Sequence, residues 1–506
     1  MHALVSRAAY PATPFITTLH GMSNPGANET ALVGWQGEAN IRGTYEILRS
    51  CIGTIVLLCW SSVCPNVPPL GGGAWSKIQG KLSLFLLAIL MPEAVLWVAV
   101  GQLHRAWLDK NAFKARSSSG WGLRECFFVN MGGLFIQFLG PDSSEASTAH
   151  QRPFPVNCTQ LRYLADNGFL ELPRIKPEEI EMRNKSNGLA RTITIGQVLW
   201  FTISTLARIA QGLPITTLEL TTLSLVLIMV FSAAAWWRKP MDISHPMIIQ
   251  SNVCLSTVLE NMMDPPNPRS RNFGATPLAF YDRQEWVLSK AWASYTCILR
   301  TLCYGTQSPT TGEGESNSVF PNTFPSIELL QVALTLEALG GLLTQVYSCV
   351  LLSAWNAYFP TPTESLLWRV STVVGVSYGF LGCAIAVLDR YGACISQCYH
   401  NIWRSLRKAA SGGTDTEPQI PLIEGSTTGR KKRGSRLDWL RRFSNLSPNH
   451  DPNFDMKLRV WVPATLLCMI YSFARVFIII EDFISLRRQP SSTYEVVNWA
   501  QYSILL

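Results

Sequence analysis

Seven ionisable side chains lie inside, or at the ends of, long apolar stretches of this sequence: Glu93, Arg208, Glu219, Glu337, Arg475, Glu481 and Asp482. A charge in hydrocarbon costs a few kcal/mol or more and persists only where something compensates it, so these residues are the first functional leads. Glu93, Glu219 and Glu337 belong to three different stretches and are the candidate catalytic residues. If they converge, burial could hold a carboxyl protonated at neutral pH and make it a general acid. Glu93 follows Pro92 in mid-stretch, and a proline there frees a backbone carbonyl beside the carboxylate. Arg208 and Glu219 flank a short turn at Leu213 to Ile215, which brings them to similar depth on adjacent antiparallel helices as a structural ion pair. Arg475 and Glu481 are six residues apart, off the i, i+4 spacing, so each faces a different partner. The competing reading of all four is structural: buried ionic pairs that fix helix register.

Other chemistry has little to stand on. There is no Walker A, HExxH, DDxxD or G-x-G-x-x-G motif. Cys394, Cys398 and His400 form CxxxCxH without a second ligand pair, so no metal and no cofactor is expected. Palmitoylation of Cys394 or Cys398, or an inert thiol, accounts for them better. A membrane acyltransferase would need a His within a span, and His104 lies just outside one.

The elements that must position the acids follow from composition. The chain has 506 residues, of which 47% are hydrophobic but only 15% charged, against about 25% in soluble proteins. A spanning helix needs about 20 mostly apolar residues, because hydrocarbon leaves no water for unpaired backbone groups. Windows that qualify are Ile47–Val63, Leu82–Val100, Thr192–Gln211, Thr216–Trp237, Leu329–Tyr347 continuing to Trp355, Leu366–Leu388 and Val460–Ile480. The expected fold is therefore all-α, a polytopic bundle of about seven spans, with amphipathic helices in its cytosolic loops. An eighth stretch, Trp121–Gly140, carries Arg124 and Glu125 in its first turn. It either crosses, making eight spans, or forms a re-entrant or interfacial segment.

Net charge is +8, yet seven basic residues sit between Arg430 and Arg442, so no nucleic-acid-binding face is implied. This cluster places the 389–459 loop in the cytosol by the positive-inside rule, and with seven spans the 101–191 and 238–328 loops join it. The N-terminal segment 1–46 would then lie inside and the tail of the 460–506 segment outside, around a 47–388 bundle. Four sequons, at Asn28, Asn157, Asn184 and Asn445, test this: all are cytosolic with seven spans, whereas eight would move Asn28 alone to the lumen and its glycosylation. Residues 409–429 read as a linker, Trp286–Tyr304 as a loop helix, and Arg430, Lys431, Lys432 and Arg433 as a contact for anionic membrane lipid.

Phrases along nearly the whole chain carry a resemblance: RGTYEILRSCIGTIVLLCWSSVCPNVP from Arg42, MPEAVLWVAVGQ from Met91, MGGL from Met131, TTLELTTLSLV from Thr216, WWRKPMDI from Trp236 and ARVFIIIEDFISLR from Ala474. Together they resemble a large, mostly uncharacterised family of filamentous-fungal polytopic membrane proteins. The resemblance implies a fungal source, a shared fold and, by analogy, a place in secondary metabolism. The expectation is a helper or catalyst of cyclisation or tailoring of a lipophilic small molecule, alongside pathway enzymes, in the endoplasmic reticulum or plasma membrane. A metabolite or proton transporter and a non-catalytic scaffold are the rivals.

Overall fold

The computed structural model describes residues 32–36, 42–68, 74–115, 121–139, 152–184, 188–243, 245–262, 276–278, 281, 334–410 and 458–499, with side chains left out at a few of them, mainly beyond 385 in the 362–410 helix. Among these, five helices are long and apolar enough to cross a membrane: Gly188–Ala210, Thr217–Ala235, Thr335–Asn356, Pro362–Ile385 and Leu458–Arg487. They fall where long apolar windows demand backbone self-satisfaction.

The helices are named in chain order: α1 (Thr44–Ser62), α2 (Ala74–Leu90), α3 (Pro92–Lys114), α4 (Leu123–Phe128), α5 (Cys158–Asp166), α6 (Pro177–Arg183), α7 (Gly188–Ala210), α8 (Thr217–Ala235), α9 (Leu255–Asn261), α10 (Leu334–Leu352), α11 (Pro362–Ala410) and α12 (Leu458–Ile484). α8 is the hub, with 61% of its apolar window buried against 17% for α12, and it packs on α1, α3 and α10. α1 packs on α7 and α8 but is not one of the five, since Tyr45, Glu46 and Arg49 occupy its first turns.

Two expectations are corrected. The stretch Leu82–Val100 is not one straight helix: it breaks at Met91, and α2 and α3 meet at a bend of 119°. Pro92 has no N–H to donate and its ring clashes with the preceding turn, so α2 stops and α3 restarts with Pro92 in its first turn. Nor is the chain, though mostly helical, without strands: of the Trp121–Gly140 stretch, the described residues 121–139 fold as α4, a π-turn and a strand rather than as a span. β2 (Leu134–Leu139) pairs antiparallel with β3 (Phe154–Pro155) and parallel with β4 (Met247–Cys254), joining the two loops into one small sheet. Gly132 turns the chain into β2 with φ 81°, and a Cβ on Gly133 would stand 2.5 Å from the Phe128 carbonyl oxygen. Asp109 and Asn157 are used within this unit. Asn130 Nδ2 donates to Asp109 Oδ2 at 2.7 Å, and Asn157 caps α5 by accepting from the Gln160 N–H at 2.8 Å.

A second, two-stranded sheet pairs β1 (Leu32–Val33) antiparallel with β5 (Gln489–Pro490). The chain before α1 and the chain after α12 therefore meet on one face. The linker, the basic run, Asn28, Asn445 and Trp286–Tyr304 lie outside the described residues.

Candidate functional site

The break at Met91 builds the site. In a continuous helix the Leu90 carbonyl would accept from the Ala94 N–H, but that N–H turns to the Met91 carbonyl at 3.0 Å. Leu90 O is freed and accepts instead from Arg475 Nε of α12 at 3.3 Å. Three residues on, Glu93 lies in the first turn of α3, where the helix dipole favours a carboxylate. It is only 7% exposed. One of its oxygens accepts from the Tyr471 hydroxyl of α12, while Oε2 has no hydrogen-bond partner among the described residues.

Aromatic rings wall this group. Tyr378 of α11 stacks on Tyr471 with ring centroids 4.3 Å apart, and the Arg475 guanidinium lies 5.3 Å from the Tyr347 ring of α10. Four elements, α3, α10, α11 and α12, thus bring together one buried carboxylate, one guanidinium and three phenols. Such a set can hold a proton at Glu93, donate it to a bound group, and stabilise the anion left behind with Arg475.

Glu219 and Glu337 stand elsewhere. Glu219 is buried in the first turn of α8 and closes a capping box: Thr216 Oγ1 accepts from the Glu219 N–H at 3.2 Å, and Glu219 Oε2 accepts from the Thr216 N–H at 3.0 Å. Its other oxygen pairs with Arg42. Arg208 is not that partner. It donates to the carbonyls of Glu495 (2.7 Å), Thr493 (2.9 Å) and Pro214 (2.9 Å), fastening the C-terminal segment to the α7–α8 turn. Glu337 is half-buried in the first turn of α10, near Cys383, and ten residues before Tyr347, or about 15 Å along the helix. The three glutamates do not converge. Arg475 and Glu481 face different partners: Arg475 turns to Glu93 and Tyr347, Glu481 to the charges of Glu364 and Arg487.

Two features are additional to these. Residues 375–379 spell GVSYG, the G-x-S-x-G pattern of a hydrolase nucleophile. They lie within α11 with no strand-to-helix elbow, and Gly379 serves packing, since a Cβ there would meet Gln345 at 2.5 Å. The second is Lys239, just past α8 in the WWRKP phrase and 3% exposed. Its ammonium donates to the Cys64 carbonyl at 2.7 Å and to Gln102 Oε1 at 3.0 Å, and Gln102 also accepts from the Trp236 indole at 3.0 Å. None of these acceptors is a carboxylate, and burial lowers the Lys239 pKa to about 8.

Residues 15–264 match the model of a family described as "Family of unknown function (DUF8562)". That stretch includes Glu93, Glu219 and Lys239, while Tyr347, Tyr471 and Arg475 lie beyond it. No curated protein and no solved structure matches the chain.

Proposed function

We propose that this multi-pass membrane protein acts in fungal secondary metabolism, using Glu93 as an acid–base residue on a lipophilic intermediate within the bundle. The observation that carries this is the placement of Glu93 at an interior helix break, one oxygen held by Tyr471, the other unpaired, with Arg475 alongside. A buried carboxylate with a free oxygen, a phenol and a guanidinium suits proton transfer to an apolar molecule better than phosphate or sugar chemistry, which would call for more donors. Profiling metabolites of cells lacking the gene tests it: an accumulated intermediate supports the reading, an unaltered profile removes it.

Transport of a metabolite or a proton is the second reading, favoured by the same break. Interrupted helices with a helix N-terminus and freed carbonyls inside the membrane are how many transporters bind cargo. Finished compound retained in the cells of the deletion strain would select it. A scaffold role would rest on the 409–445 segment, outside the described residues.

For the path through the membrane we infer six crossings: α1, α7, α8, α10, α11 and α12. Lys81 of α2 reaches Asp242 at 3.0 Å and Gln102 of α3 reaches Lys239 at 3.0 Å, so α2 and α3 enter and return on the side of the three-stranded sheet. Their pair is then re-entrant, with the Glu93 elbow as its tip. An even number of crossings agrees with the β1–β5 pairing and moves the 1–42 segment to the face opposite the basic loop, the lumenal one by the positive-inside rule.

A further inference from the structure

One buried line of residues runs along α12 into the turn that follows it. Tyr471, Arg475, Ile478, Asp482 and Ser485 follow each other at alternating spacings of four and three, and none is more than 2% exposed. The opposite face shows Leu466, Phe473 and Ile480 to the lipid. The stripe spans fifteen residues, about 21 Å from end to end.

Seven buried side-chain nitrogen and oxygen atoms that make no hydrogen bond among the described residues belong to this stripe and its neighbours. They run in sequence across the bundle. Glu364 Oε2 comes first, where Arg487 pairs with Glu364 at the β1–β5 face. Glu481 Oε1 and Asp482 Oδ1 follow, with Thr221 Oγ1 of α8 beside Asp482. Arg475 Nη1, the Tyr347 hydroxyl and Glu93 Oε2 complete the file. Ordered water between such atoms would join them into a hydrogen-bonded chain.

We propose that this file is a proton route from the Glu364–Arg487 face through Asp482 to Glu93. Charge balance supports it: Asp482 and Glu93 both face the guanidinium of Arg475, one cation for two buried carboxyl groups. The other groups facing Asp482 are Glu481, Thr217, Thr221, the Tyr347 phenol and the Cys51 thiol of α1; those facing Glu93 are Tyr471, Tyr347 and the Cys468 thiol. In the transfer, the Asp482 carboxyl gives its proton through water to the Glu93 carboxylate. Asp482 is left ionised and takes its next proton from water at the Glu364–Arg487 face. Only O–H bonds are made and broken.

The route deepens the acid–base reading of Glu93 but holds for any ligand, so it is tested without one. Purified full-length protein is moved from H2O to D2O, and exchange of its protonated carboxyl groups is followed by infrared spectroscopy, each band assigned by its loss in Glu93→Gln or Asp482→Asn. Exchange of the Glu93 band is expected to slow about tenfold or more in Asp482→Asn and in the isosteric Thr221→Val, because each removes a member of the chain. Exchange at Asp482 should be unaltered in Glu93→Gln. Equal exchange of the Glu93 band in wild type and both variants overturns the route, as does the absence of any carboxyl band lost in Glu93→Gln or Asp482→Asn. Neither result depends on the metabolite profile, so the two proposals fail separately.

Discussion

Arg475 donates through Nε to the carbonyl of Leu90 at 3.3 Å, across 385 residues of sequence. One side chain of the last helix therefore both caps the break made by Pro92 and supplies the positive charge beside Glu93. The local defect and the chemistry it enables share a single partner.

Removing that partner has a large expected effect. Arg475→Met leaves Glu93 and Asp482 without a compensating cation and is expected to destabilise the protein by about 3–5 kcal/mol. Arg475→Lys keeps the charge and loses the planar contact with Tyr347, so it should fall between. Thermal unfolding in one detergent, compared across the three proteins, measures both. Equal midpoints for Arg475→Met and wild type would show that the cluster is not held by this charge.

At the other end of the bundle, Glu219 has two separable roles. Glu219→Gln preserves the capping box and breaks the ion pair with Arg42; Glu219→Ala breaks both. The alanine variant is expected to be less stable than the glutamine variant by about 1 kcal/mol, the usual value of a helix cap. If Arg42→Ala and Glu219→Gln are combined, the losses should be less than additive, since the residues share one interaction. Strict additivity would deny the pair.

Lys239 gives the fold a pH dependence. Its pKa is about 8 when buried, below the 10.5 of an exposed lysine, so the folded state holds fewer protons between those values. Stability should therefore rise as pH increases from about 8 toward 10, and the penalty is fully present below pH 8. In Lys239→Met this rise should be absent. An identical slope in the two proteins over that range would locate the titrating group elsewhere.

The crossing pattern predicts sidedness. Single cysteines placed at Gln36 and Glu495 should react with an impermeant reagent from the same side of a sealed vesicle. A cysteine at Lys176, in the loop that carries the three-stranded sheet, should react from the other. Labelling of positions 36 and 495 from opposite sides would restore an odd number of crossings.

Much of the bundle is legible in sequence because lipid imposes length: Thr192–Gln211 and Thr216–Trp237 lie within a few residues of α7 and α8. The elbow is half legible. Pro92 announces a kink, but only α12, nearly four hundred residues away, decides that the kink becomes a 119° reversal with Arg475 on the freed carbonyl. The sheet is hidden because its parallel partners, Leu134–Leu139 and Met247–Cys254, are short and distant, and apolar runs of that length read equally well as parts of helices. Thr216 to Glu219 spells a capping box, a plain local signal that the search for buried acids passes over. The stripe on α12 is in the spacing from Tyr471 to Ser485, yet which face is buried follows only from packing. Lys239 is visible as a residue and becomes notable only when its partners prove to be uncharged.

The most direct test of the account compares two glutamates that look alike in sequence and differ in setting. Cells whose only copy carries Glu93→Gln are profiled against cells carrying Glu337→Gln, with protein levels matched. The account predicts that Glu93→Gln accumulates an intermediate and loses the final product, while Glu337→Gln, at the half-buried start of α10, keeps the wild-type profile. A wild-type profile in the Glu93→Gln cells would contradict it.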